Sequence, residues 1–267
     1  MKPGNVQKPV RQLRKSLKSL ASDPTTRNVH DLRTRLRRVE AIAGLLNAGG
    51  GKSRNPLLKA LKPLRKAAGE VRDMDVLTAK ARTLAGLGCD ASVRFLLEHL
   101  QARRVEGARR LAKKAHQQRK DAHDSLKEFS RQLEKLFATK AGGCRLQTDT
   151  AMGLMDELSH WPQFSTENLH AFRIKVKELR YVLQLTEAAE PKFVIALEKV
   201  KARIGDWHDW LELMRIAGEA LDAGKNGAVL KVIEEIGSGK LKPAFAAARA
   251  LRTHYLGPHR GYEMSGG

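Results

Sequence analysis

Apolar residues recur every three or four positions along most of the chain, as Val10, Leu13 and Leu17 do near its start. Residues at this spacing share one face of an α-helix, and no segment shows the strict alternation that is typical of strands. Residues 91–137 contain no Pro and only one Gly, and are predicted to form one long helix or a helical pair. The pattern predicts an all-α protein of about eleven helices. The predicted helix ends include four glycines: Gly69, Gly142, Gly143 and Gly205.

Two segments of the chain share one pattern of histidine, basic and apolar residues. The first begins at His30 and the second at His170, and each has Arg at +3 and basic residues at +5 and +7. On a helix, the residues at 0, +3 and +7 lie within about 60° of arc, beside an apolar stripe that must be buried. We define the first basic face as His30, Arg33 and Arg37, and the second basic face as His170, Arg173 and Lys177.

A looser repeat links residues 65–73 with residues 201–209. Both segments have a basic residue first, Gly fifth, an acid sixth and Arg-Asp or His-Asp at the end. Asp73 and Asp209 could be catalytic carboxylates, or could bind a metal together with Asp75. We favour a third role, in which each accepts hydrogen bonds from the neighbouring basic face, because no further ligands occur at metal-binding spacing. The two repeats together predict an internal duplication.

The composition is strongly basic, with 50 Lys and Arg against 29 Asp and Glu and a formal net charge of +21. A charge of this size attracts anions, and a hydrophobic content of 42% is enough for a folded core. A basic stripe is ordinarily a solvated surface, but here it borders the apolar stripe in both segments, so we interpret the two faces as an anion-binding surface. No apolar run approaches a membrane span or a signal sequence, and the two cysteines indicate a reducing, cytoplasmic location.

The motifs His-x-x-Arg-x-Arg-x-Arg-Arg and His-x-x-Arg-x-Lys-x-Lys-x-x-Arg-Tyr are each followed, about 40 residues later, by Arg-Asp or His-Asp. In this the chain resembles the conserved-histidine α-helical domain, or CHAD, family over roughly residues 6–255. The resemblance implies one domain of two pseudo-twofold-related four-helix bundles, about 6–140 and 146–255, with residues 256–267 as a flexible tail. It also implies a basic central groove or channel that binds inorganic polyphosphate.

Carried onto this chain, the resemblance implies a set of polyphosphate-binding residues in both halves. They are His30, Arg33, Arg35, Arg37, Arg38, His170, Arg173, Lys175, Lys177 and Arg180, with Arg65, Arg72, Lys201 and His208 as weaker additions from the looser repeat. Glu40 stands where Arg180 occurs in the other copy, and Glu178 stands opposite Arg38, so the halves should contribute unequally. We predict no catalytic residue, metal site or cofactor.

Nucleic-acid binding is the main alternative, because charge alone would allow it. An aromatic content of 5% offers few stacking platforms for single strands. A phosphohydrolase or phosphotransferase is a third class, but the chain lacks a Glu-x-Glu-x-Lys motif, a P-loop and an activated nucleophile. Polyphosphate granules and a polyphosphate-metabolising enzyme are further expected partners. His116 and His123 are interpreted as solvated surface residues, and Trp207 and Trp210 as core.

Overall fold

The computed structural model describes residues 3–20, 24–48, 56–137, 140–184 and 189–257. Across these ranges all regular secondary structure is helical, which confirms the all-α prediction. The described helices are α1 (Pro3–Leu20), α2 (Thr26–Ala48), α3 (Pro56–Arg82), α4 (Asp90–Gln117), α5 (Arg119–Phe137), α6 (Lys140–Ser159), α7 (Thr166–Leu183), α8 (Pro191–Ala220) and α9 (Ala223–Tyr255). None of the helices described here is long and apolar enough to cross a bilayer.

The chain divides into two compact units. Unit 1 comprises Met1–Leu146 with Ala220–Asp222, and unit 2 comprises Gln147–Glu219 with Ala223–Gly267. In unit 1, α3 packs against α2, α4 and α5, while α1 packs against α2 and α5. In unit 2, Phe193 of α8 stacks on Tyr255 of α9 with ring centroids 5.5 Å apart. The first basic face therefore belongs to unit 1, and the second to unit 2.

The apolar stripes predicted beside the two basic faces are buried. Leu32 and Leu36 of α2 are fully inaccessible, and so are Phe172 and Val176 of α7. Burying a large apolar side chain stabilises a fold by about 1.5–3 kcal/mol, so each stripe fixes the rotation of its helix. The basic residues beside the stripe are thereby held at the edge of the core. The buried positions of Trp207 and Trp210 likewise confirm their assignment to the core.

The helix ends predicted at Gly69, Gly142, Gly143 and Gly205 are wrong. Helix α3 continues through Gly69, α6 through Gly142 and Gly143, and α8 through Gly205. A glycine inside a helix costs about 1 kcal/mol relative to alanine. At Gly205 the flanking Ile204 and Trp207 are buried, and their contribution exceeds that cost. The helical pair predicted over residues 91–137 is confirmed, because α4 and α5 are separated at Gln118 (φ −96°, ψ 6°).

Candidate functional site

Arg33 of the first basic face reaches across to α3. Its Nη1 donates hydrogen bonds to Asp73 Oδ1 at 2.9 Å and to the carbonyl oxygen of Gly69 at 3.4 Å. This confirms the expected role of Asp73 as an acceptor for a basic side chain. Gly69 lies directly beneath the guanidinium, since a Cβ built there would lie 3.7 Å from Arg33 Nη1. The arginine is thus held against the neighbouring helix while 27% of its side chain remains exposed.

Arg173 of the second basic face makes a similar contact with α8. Its Nε donates to the carbonyl oxygen of Lys201 at 3.1 Å. A Cβ built on Gly205 would lie 2.7 Å from Arg173 Nη2, so only glycine leaves room for this guanidinium. Gly69 and Gly205 are the matching glycines of the looser repeat. Each unit therefore places an arginine of its basic face against a glycine of a neighbouring helix.

Glu40 joins two of the predicted cations in unit 1. Its carboxylate lies 3.7 Å from Arg37 Nη1 and 3.0 Å from Arg65 Nε, and only 15% of its side chain is exposed. Burial raises the pKa of Glu40, although the charges of Arg65 and Arg37 act in the opposite direction. The ionised carboxylate is therefore costly at this position, and it lies where it would repel an incoming anion.

Arg35 points toward the inside of unit 1. It donates to the Ser16 hydroxyl and, at 3.3 Å, to the carbonyl oxygen of Gln12, both on α1. It also pairs with Asp31, one turn earlier on α2, at 3.4 Å. Three acceptors within the bundle already engage this guanidinium, so it ties α2 to α1.

Acidic residues also contact the predicted cations of unit 2. Glu198 lies 3.4 Å from Arg180 Nε and accepts a hydrogen bond from Lys201 Nζ. Burial opposes the ionisation of Glu198, but Lys201 and Arg180 outweigh it and lower the pKa of this carboxyl. Lys175 Nζ lies 2.9 Å from Glu157 and 3.6 Å from Glu178. Burial alone would lower the pKa of Lys175, but the two carboxylates raise it.

The two predicted histidine positions differ between the units. In unit 2 the rings of His170 and His208 are in contact, with centroids 4.0 Å apart and planes 34° apart. In unit 1, His30 is exposed, and Arg72 stands where His208 stands in the looser repeat. Within the described parts of the chain, His30, Arg38 and Arg72 form no hydrogen bond or ion pair. These three side chains can reach a ligand without giving up a partner among the described residues.

Asp75 is a structural residue of unit 1. Its carboxylate accepts hydrogen bonds from Arg104 Nε at 2.9 Å and from the Thr26 hydroxyl at 3.0 Å. Asp73 is engaged by Arg33, so Asp73 and Asp75, two of the three carboxylates of the possible metal site, already have basic partners. Among the described residues, no three or more His, Cys, Asp or Glu side chains are grouped as metal ligands. The hydrogen-bonding interpretation of this segment thus fits the geometry.

The family model described as the CHAD domain matches residues 5–217. The chain belongs to the CHAD family. Its members are helical domains associated with polyphosphate. The crystal structure of the CHAD domain from the plant Ricinus communis is similar to the chain, with a TM-score of 0.66 and 18% identity over 94% of this chain and 91% of that one. At that identity the likeness shows the fold alone. No curated protein matches the sequence.

Two acidic residues of this CHAD chain were missed by sequence reasoning. Glu198 stands three positions before Lys201 on α8, and that spacing was a usable signal, because such residues are neighbours on a helix. Glu157 contacts Lys175 from α6, and nothing in the local sequence indicates this contact. The predicted cations Lys175, Arg180 and Lys201, which lie outside the second basic face as defined, therefore have part of their charge neutralised by carboxylates.

Proposed function

We propose that this CHAD protein binds inorganic polyphosphate through its two basic faces without hydrolysing it. The observation that carries the proposal is the arginine held over a glycine in each unit. Polyphosphate has no bases, so charge, hydrogen bonds and spacing are the only features that a protein can recognise. A guanidinium fixed in place offers paired donors to phosphate oxygens and loses little entropy when it binds.

The exposed acidic partners of the basic residues can be replaced by phosphate oxygens, and this supports the proposed function. Asp73 and Glu198 hold basic residues of the two units, yet 58% and 48% of their side chains are exposed. Ion pairs at such positions contribute about 0–1 kcal/mol, so phosphate oxygens can replace the carboxylates at small cost. Arg38 and Arg72 add charge without giving up any partner within the described residues. Polyphosphate would thus meet fixed cations whose present partners are easily displaced.

The proposal includes binding without turnover. Asp73 faces a guanidinium and Glu198 faces Arg180 and Lys201, an arrangement that favours holding cations in place over activating water. Phosphate release that follows the purified protein and disappears in Asp73→Asn would contradict this part of the proposal. We also propose a cytoplasmic role, at polyphosphate granules or beside a polyphosphate-metabolising enzyme.

Competition binding tests the proposed ligand. Polyphosphates of graded length would compete with single-stranded RNA and duplex DNA of matched charge at one fixed salt concentration. We expect polyphosphate to displace both nucleic acids, with an advantage of about tenfold or more. Its phosphates are linked directly and are more closely spaced than those of single-stranded RNA, and its flexible chain reaches fixed donors better than a stiff duplex does. Equal affinities at matched charge would identify a general polyanion binder and contradict polyphosphate selectivity.

A further inference from the structure

Unit 1 contains a second concentration of positive charge, away from the first basic face. A pocket of about 640 Å³ opens where α4 ends and α5 begins, beside α1. Six cationic or titratable side chains line it: Arg14, Lys18, His116, Arg119, Lys120 and His123. None of its lining residues is acidic, and none belongs to the basic face of α2. The volume lies within the range of small-molecule sites.

Arg14 is the inner member of this pocket, which we call the α1–α5 pocket. Its Nε and Nη2 are buried and have no hydrogen-bond partner among the described residues. A buried charged donor without an acceptor destabilises the fold, so an oxyanion that accepts from Arg14 would remove that penalty. This feature separates the pocket from an ordinary basic surface, where water satisfies every donor.

The outer wall supplies charge that is not neutralised. Lys18, Arg119 and Lys120 are exposed, and within the described residues none of them forms an ion pair or a side-chain hydrogen bond. His123 lies 3.4 Å from Asp124, and that carboxylate is not part of the lining. His116 and His123 are exposed, as expected from the sequence, but they belong to the wall of this pocket. The cations converge from three helices onto one volume.

We propose that the α1–α5 pocket binds a compact oligophosphate. Four positive charges around one open pocket, Arg14, Lys18, Arg119 and Lys120, match an anion that carries several charges on a few atoms, such as pyrophosphate or tripolyphosphate. The buried Nε and Nη2 of Arg14 can donate hydrogen bonds to one phosphate group, and the exposed cations can contact the neighbouring phosphate groups of the same ligand. A short free oligophosphate and the end of a long polyphosphate chain present the same chemistry to this pocket. The proposal stands whether or not the two basic faces bind polyphosphate.

Calorimetry with tripolyphosphate in the absence of divalent cations tests the pocket. The pocket variant is Arg14→Gln with Lys18→Gln and Lys120→Gln. Its control is Arg109→Gln with Lys113→Gln and Lys127→Gln, which removes the same charge from exposed positions of α4 and α5 outside the pocket. We expect the pocket variant to lose about tenfold or more in affinity, since it loses charge-assisted hydrogen bonds, and the control to change less than about threefold.

A double variant of exposed residues alone, Lys18→Gln with Lys120→Gln, keeps the test valid if loss of Arg14 disturbs folding. This double variant should still weaken tripolyphosphate binding severalfold, with an unchanged melting temperature. Equal losses in the pocket variant and the control would overturn the proposal, because net charge would then explain both. The proposal also fails if tripolyphosphate binding is lost in an Arg33→Ala, Arg37→Ala variant and retained in the pocket variant.

Binding of long-chain polyphosphate distinguishes the two sources of the ligand, which are a free oligophosphate and the end of a long chain. If chain ends enter the pocket, the pocket variant also loses affinity for long chains, and tripolyphosphate competes with them. If a free oligophosphate is the ligand, saturating tripolyphosphate leaves long-chain binding unchanged. Both results support an oligophosphate site. Failure of the basic-face proposal would appear separately, as long-chain binding that survives substitution of the basic faces.

Discussion

At the scale of single residues, Gly205 and Gly69 occupy matching places but leave different amounts of room. A methyl group at Gly205 would approach Arg173 Nη2 to 2.7 Å, whereas one at Gly69 would stay 3.7 Å from Arg33 Nη1. The first distance forces the guanidinium to move, and the second is an ordinary van der Waals contact. The backbone does not require glycine at either place, since both residues lie inside α-helices and neither has a positive φ.

We therefore expect Gly205→Ala to weaken polyphosphate binding about tenfold, close to the effect of Arg173→Ala, because it displaces a charge-assisted donor. Gly69→Ala should change the affinity less than about twofold. Both variants should remain fully helical, since alanine favours a helix by about 1 kcal/mol over glycine. Calorimetric titration with polyphosphate, together with circular dichroism, provides the comparison. Equal effects of the two substitutions would show that Arg173 is not a binding residue.

Glu40 is predicted to weaken binding at the first basic face. Replacing it by Gln removes a negative charge beside Arg37 and Arg65 and keeps the shape of the side chain. We expect Glu40→Gln to bind polyphosphate about fivefold more tightly, since a unit charge at this range contributes on the order of 1 kcal/mol. The control is Glu128→Gln on α5, which changes the net charge equally. Glu128 pairs with Arg131 on an exposed surface. An equal gain in that control would mean that only net charge matters.

The same substitution predicts a dependence of stability on pH. Because the pKa of Glu40 is raised in the folded state, protonation of this carboxyl stabilises the fold. That contribution is complete below the unfolded value of about 4.3 and is lost as the pH rises through the folded value. The free energy of unfolding of the wild type should therefore rise relative to Glu40→Gln as the pH falls from 7 toward 4. Urea unfolding of both proteins across this range measures the difference, and a constant difference would contradict the buried carboxylate.

What a single residue does could be predicted from the sequence only where its partner lies nearby in the chain or in the repeat. The pairing of Asp73 with the basic face followed from the repeat. The contact between Lys175 and Glu157 joins two helices whose packing the sequence does not specify. The inward turn of Arg35 depends on Ser16 and on a backbone carbonyl of α1, so its different position among the predicted cations was visible only in three dimensions.

At the scale of the helices, apolar periodicity carried most of the correct predictions. It identified the buried stripes of α2 and α7, because burial is periodic along a helix, but it left one long helix or a helical pair open where the structure has α4 and α5. The prediction of helix ends at Gly69 and Gly205 was wrong, because these glycines allow an arginine to approach the helix closely and do not end it. Their coincidence in both copies was the available signal, and a packing role explains that coincidence better than a helix end does.

The basic faces themselves are tested by removing two cations from each. The variant Arg33→Ala, Arg37→Ala, Arg173→Ala and Lys177→Ala should lose about a hundredfold in polyphosphate affinity, because several charge-assisted contacts disappear together. Its helicity should persist, since alanine favours helices and the buried stripes are untouched. The control removes Arg94, Arg109, Lys113 and Lys127, which are exposed residues of α4 and α5 outside the α1–α5 pocket. If both quadruple variants lose affinity equally, the faces have no special role.

At the scale of the whole molecule, the net charge of +21 attracts every polyanion, so affinity alone does not identify a site. The salt dependence separates contacts from general attraction. Each phosphate contact releases counterions, and the logarithm of the affinity falls about linearly with that of the salt concentration. The basic-face variant should reduce this slope by about 3, as expected for four lost contacts, whereas the control should leave it nearly unchanged. Equal slopes in the two variants would indicate attraction by net charge without localised contacts.

At the same scale, the duplicated motifs lead us to predict that one long polyphosphate chain engages both basic faces. A chain that engages both faces of one molecule would meet the second face at a high effective concentration, and this would raise the affinity by about a hundredfold or more. Loss of either face, through Arg33→Ala with Arg37→Ala or Arg173→Ala with Lys177→Ala, would then cost long chains most of this gain. A chain long enough for one face only would lose about twofold, as one of two sites disappears. Titration of both double variants with short and long chains measures the difference, and equal losses at both lengths would mean that each face binds its own chain.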